Sequence, residues 1–183
     1  MSRKATISKE DIINAAFNIT AREGFDKITS RGLAAEAGCS TQPIFRIYEN
    51  MDSLKKDVYD KAAGFYEEFY KKNNGNSETP FKSLGMAYMS FARKYPQLFR
   101  LLFLSSRNED LKSMYDLVNG GEETVAKEVQ RAARLGCKDP NGLFMKMWIF
   151  IHGAACMAVT GDNDLDDAQF GALLEACYKD FNS

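Results

Sequence analysis

Arg31, Gln42 and Arg46 are the side chains of this 183-residue chain whose chemistry points most directly at a partner. A guanidinium pairs bidentately with guanine O6 and N7, and a carboxamide with adenine N6 and N7. Arg31 and Gln42 therefore read as base-contacting groups, and Arg46 as a contact to a base or a phosphate. Thr29, Ser40 and Thr41 carry hydroxyls suited to phosphate oxygens, which fix register without reading sequence. Pro43 and Phe45 share their outward surface. The remaining chemistry is sparse. His152 is the only histidine, so a Ser-His-Asp triad, a Glu-x-x-His di-iron bundle and a multi-histidine zinc site all lack parts. No glycine-rich phosphate loop occurs. We expect no enzyme, no metal and no cofactor.

The elements that must position these groups lie in residues 29–54, TSRGLAAEAGCSTQPIFRIYENMDSL. Thr29 or Ser30 can cap a helix that carries Leu33, Ala34 and Ala37 on one face. Gly38 supplies the left-handed residue that closes it, and Ser40 is a good N-cap for the next helix. Pro43 falls in the first turn of that helix, where a backbone N–H has no intrahelical partner. Ile44 and Tyr48, four apart, pack inward and leave Thr41, Gln42, Pro43, Phe45 and Arg46 outside. Two helices joined by a tight turn, the second displaying polar groups near its start, form a helix-turn-helix with a recognition helix for the major groove.

The run AAEAGCSTQPIFRIYENMDSL resembles the TetR/AcrR family of bacterial transcriptional regulators, and the likeness is specific over residues 8–56. It implies an all-α fold: a three-helix helix-turn-helix DNA-binding domain at 1–50 and a helical effector-binding and dimerisation domain at 51–183. It also implies a homodimeric repressor that binds a near-palindromic operator in double-stranded DNA and is released by a small apolar or amphipathic effector. The family often carries Tyr or His at the positions of Phe45 and Ile47, and Lys at that of Met51. Residues 1–60 hold nine Lys/Arg and nine Asp/Glu, so phosphate neutralisation supplies only modest non-specific affinity. These departures motivate a rival reading, a helical small-molecule-binding protein whose DNA-binding half is lost or repurposed.

A hydrophobic content of 45% suffices for a real core. Cys39, Cys137, Cys156 and Cys177 form no CxxC pair and nothing resembles a signal peptide, which points to a reducing cytoplasm and to cysteines serving as small buried hydrophobes. The most apolar window, 147–160, is shorter than the roughly 20 residues that span a bilayer and reads as a core helix.

In chain order, Ser8 and Asp11 form a capping box for a helix that ends at Gly24. Asn50 caps a long helix over 51–72, and 73–80 is a loop. Further helices are predicted at 81–94, 96–104, 108–118, 122–135, 140–161 and, capped by Asp164, 165–181. Among the surplus of aromatic and methionine side chains, Phe65, Phe69, Met89, Phe103, Tyr115, Phe144 and Trp148 could line an adaptable hydrophobic pocket or simply fill a core. His152, with Trp148 four residues before it, resembles a Trp, His-Gly pattern of some family effector domains, which implies a ligand contact; a structural histidine is the alternative. Ala154 and Ala158 permit close helix approach, and Phe170, Leu173, Leu174 and Cys177 give the last helix an apolar stripe. The resemblance implies that the last two helices pair with their copies in a four-helix dimer interface.

Overall fold

The computed structural model describes residues 7–73, 75, 77–105 and 122–182, and these contain helices and connecting turns but no strand. α1 (Lys9–Glu23) opens on the expected capping box: the Ser8 hydroxyl accepts from the Asp11 N–H, and the Asp11 carboxylate accepts from the Ser8 N–H at 2.9 Å. It closes at Gly24 and runs into a 3₁₀ turn, Phe25–Lys27. α2 (Ser30–Glu36), α3 (Thr41–Ile47) and α4 (Met51–Asn73) follow. Asn50 caps α4 through its Oδ1, which accepts from the Ser53 N–H at 2.9 Å. α5 (Lys82–Lys94) is separated by Tyr95 from α6 (Pro96–Phe99), and α6 continues into a π-wound segment, Arg100–Leu104. α7 (Glu122–Arg134), α8 (Pro140–Thr160) and α9 (Asp167–Phe181) complete the chain. The helix predicted at 108–118, and Tyr115 with it, lies outside the described residues.

The chain forms two compact units, Met1–Phe65 with Gln97–Ser106 and Tyr66–Pro96 with Arg107–Ser183. The division falls inside α4. The reason is the packing of α4's first part: Leu54, Val58 and Ala62 are fully buried, and Phe65 meets Phe17 of α1 edge-on at 5.4 Å between ring centroids. In the second unit α5 packs on α8 and α9, and α8 also packs on α7 and α9. Tyr66, Tyr88, Met89, Phe91, Met147, Phe170 and Leu174 fill its core.

Three expectations are corrected. α9 starts at Asp167, capped by Asp166 and not Asp164, because Gln169 completes a capping box with Asp166; Leu165 is held outside the helix by Asn163 and by Arg93, which donates to its carbonyl. α8 is the helix predicted at 140–161, and over its full 21 residues, unlike the window 147–160, its length and composition suffice to cross a membrane. It is not a core helix, because only the face with Leu143, Phe144, Met147, Ile151 and Ala155 is buried. The four cysteines are half-buried and unbridged.

Among the described residues, one that is not glycine has an unusual backbone. Phe81, just ahead of α5, sits in the left-handed region at φ 63° although its ring is buried. Its N–H donates to Glu128 Oε2 at 2.7 Å and its ring lies 5.8 Å from Phe144.

Candidate functional site

Local geometry builds the helix-turn-helix as the residue types require. The Thr29 hydroxyl accepts from the Gly32 N–H at 3.1 Å and starts α2. At its other end the Cys39 N–H reaches Ala34 O at 2.9 Å and the Gly38 N–H reaches Ala35 O at 3.2 Å, with Gly38 at φ 66°. This paired closure satisfies the last carbonyls and needs a residue without a Cβ at the left-handed position. Ser40 occupies the N-cap position of α3, but its hydroxyl makes no capping bond. Leu33, Ala34, Ile44 and Tyr48 are buried. Thr29, Arg31, Ser40, Gln42, Phe45 and Arg46 are exposed, while Thr41 and Pro43 are half-buried. Phe45 is 61% exposed, an unusual position for a large apolar ring.

A link that the sequence did not reveal holds the end of α3 in place. The Tyr48 hydroxyl donates to Asp57 Oδ2 on α4 at 2.6 Å, and Lys9 Nζ on α1 lies 2.7 Å from the same oxygen. Burial and the bond to Asp57 push the Tyr48 hydroxyl above its ordinary range. Partial burial opposes ionisation of Asp57, yet Lys9 and Tyr48 hold its carboxyl below the usual range. A carboxyl with a depressed folded pKa stabilises the fold above its unfolded value of about 3.9 and loses that contribution as pH falls through the folded value. Asp57→Asn should therefore lower stability by about 1 kcal/mol at pH 7. The gap should narrow as pH falls from about 4 through the folded value; thermal unfolding across pH 2 to 7 checks both.

The second unit encloses a cavity whose free space of about 20 Å³ suffices for roughly one water. α4 contributes Tyr66 and Tyr70 to its wall; Phe81, Leu84 and Tyr88 come from the start and middle of the α5 region. α8 adds Phe144, Met147, Trp148 and Ile151. The ring of Tyr88 meets Trp148 edge-on at 5.1 Å, and its hydroxyl lies 2.9 Å from His152 Nδ1. His152 Nε2 is 3.5 Å from Cys156 Sγ. Burial lowers the His152 pKa and raises that of the Cys156 thiol, so both groups are held neutral.

Of the residues suggested for a pocket, Phe144 and Trp148 line the cavity. His152 stands behind Tyr88 rather than in the wall. Phe69 packs on Phe91 and Tyr95, and Met89 is fully buried, neither of them reaching the cavity. Phe65 and Phe103 belong to the first unit, where they pack on Phe17 and Phe99. The wall positions not singled out for the pocket, among them Tyr70, Phe81, Tyr88 and Ile151, have the composition of any core and become a cavity only through tertiary pairing.

The expected interface residues also separate. Phe170 and Leu174 are fully buried inside the unit, so they present nothing to a second copy. Leu173 is exposed, and Ala154, Ala158 and Cys177 are half-buried. Met145, Ile149 and Met157 stand exposed on α8 at spacings of four and eight, with Ile149 67% exposed. That spacing was a usable signal, masked by a helix that is apolar on every side.

A family model described as the tetracyclin repressor-like C-terminal domain matches residues 81–181, more than half of the chain. No curated protein matches it. Among solved structures, a protein described as a TetR-family transcriptional regulator from Vibrio parahaemolyticus superposes with a TM-score of 0.62 at 19% identity, over 93% of this chain and 96% of that one. A TetR-like transcriptional regulator from Rhodococcus sp. RHA1 gives 0.60 at 14%, over 98% and 97%. One described as a TetR-family regulator from Mesorhizobium loti MAFF303099 gives 0.54 at 20%, over 94% and 93%. At these identities the likeness is one of fold, and the family match supplies the assignment: the chain belongs to the TetR family of transcriptional regulators.

Proposed function

We propose that the chain is a repressor that binds a near-palindromic operator as a homodimer and lets go when a small apolar or amphipathic effector enters the cavity of the second unit. The observation that carries this reading is α3, with Ile44 and the adjoining Tyr48 buried while Gln42, Phe45 and Arg46 face out. One recognition helix per chain reads one half-site, so two copies should span half-sites about 34 Å apart. Arg31 and Gln42 read bases, and Thr29, Ser40 and Thr41 hold phosphates. Selecting bound fragments from genomic DNA in low salt tests the reading and yields the operator. Arg31→Ala and Gln42→Ala should each weaken that operator about tenfold and relax preference at one base pair per half-site. Unchanged affinity and preference in both variants would overturn the assignment. Failure to select any DNA would favour the rival small-molecule-binding protein, for which the balanced charge of residues 1–60 speaks.

The effector half of the proposal rests on α4 and on the closed state of the cavity. α4 carries Leu54 and Val58 in the first unit and the wall residues Tyr66 and Tyr70 in the second. An effector larger than water fits only if the wall opens, so it binds a second arrangement more tightly than this one and shifts the population toward it. A typical coupling is about 1 to 3 kcal/mol, and operator must weaken effector binding by the same factor that effector weakens operator binding.

A further inference from the structure

We propose that the cavity selects a small uncharged aromatic molecule bearing one hydrogen-bond acceptor, to which the Tyr70 hydroxyl donates. This rests on reading the cavity as the effector site. Tyr70 is 3% exposed and lines the cavity, and among the described residues its hydroxyl has no hydrogen-bond partner. A buried hydroxyl without a partner is unfavourable, so it marks the place where an acceptor is missing. Burial and the nearby Glu128 carboxylate raise its pKa, so it remains a donor. The Tyr88 hydroxyl is already engaged by His152.

The rest of the wall narrows the ligand. Among the described residues no charged side chain lines the cavity, and an ion there would be stripped of water without a counter-charge. A water has the right size, but it needs two to four polar partners, and this wall is almost wholly apolar. Tyr88, Phe144 and Trp148 present aromatic faces and edges that favour a flat ring among them. Met147 is the one flexible thioether among the described wall residues and yields most easily when the space widens. A single ring is therefore the size that the smallest rearrangement admits.

Trp148 is the only tryptophan in the chain, so its emission reports filling of the cavity. The full chain and its Tyr70→Phe variant are titrated with acetophenone, with α-methylstyrene, which has a methylene in place of the carbonyl oxygen, and with benzoate. We expect acetophenone to bind the parent about five- to tenfold more tightly than α-methylstyrene, with no binding of benzoate. Tyr70→Phe should abolish the preference while unfolding at or above the parent's temperature, since it removes an unsatisfied group and keeps the ring. Equal affinities for the two neutral probes in the parent, or a carbonyl preference that survives in Tyr70→Phe, would overturn the role of the hydroxyl while leaving the cavity a ligand site. An emission that responds to none of the three would sink the cavity reading and this inference together.

Discussion

An Ile149→Asp chain should sediment as a monomer and bind operator DNA on the order of a hundredfold more weakly than the parent. Ile149 is 67% exposed, in line with Met145 and Met157 on α8, and Leu173 of α9 is exposed too. A carboxylate placed in an apolar seam between two copies loses its water without gaining a partner, at a penalty of several kcal/mol for each ion. Twofold symmetry doubles the effect, because each copy brings its own aspartate to the same seam. Because the side chain is exposed within one chain, helical content by circular dichroism should not change. Ile149→Leu should leave assembly and DNA binding as they were. A dimer of Ile149→Asp with normal operator affinity would place the interface elsewhere.

Gly85→Val should lower unfolding stability by about 2 to 3 kcal/mol in urea. A Cβ at Gly85 would stand 2.8 Å from Leu174 Cδ1 and 3.0 Å from Ile151 Cδ1, so α5 approaches α8 and α9 too closely there for a branched side chain. Leu174→Ala alone removes a fully buried side chain and should cost about 2 to 5 kcal/mol. Together the two changes should cost at least about 1 kcal/mol less than their sum, because valine fills space that leucine vacates. Measured at one fixed protein concentration, this shortfall is specific to a Leu174 that faces Gly85 within one chain. Strict additivity would return Leu174 to the surface.

Helix starts were legible because caps are local. Ser8 with Asp11, Thr29 and Asn50 each act within three residues, so the order of types along the chain is enough. The start of α9 was misread because Asp164, Asp166 and Asp167 are all capable of capping. The choice was made by Gln169 and by Arg93, which reaches Leu165 from far away in sequence. The outward face of α3 could be read from the spacing of Ile44 and Tyr48. The bond from Tyr48 to Asp57 could not, because spacing says where a ring goes and nothing about what its hydroxyl meets. The pocket was least legible. Phe144 and Phe103 are the same residue type in similarly apolar stretches, yet one lines the cavity and the other packs on Phe99 in the other unit.

Phe81 behaves as a cocked spring. A bulky residue held at φ 63° stores about 1 to 3 kcal/mol of backbone strain, and here the Glu128 carboxylate and the packing against Phe144 act as the catch. Because Phe81 is also part of the cavity wall, that strain lies beside the space that any guest would have to widen.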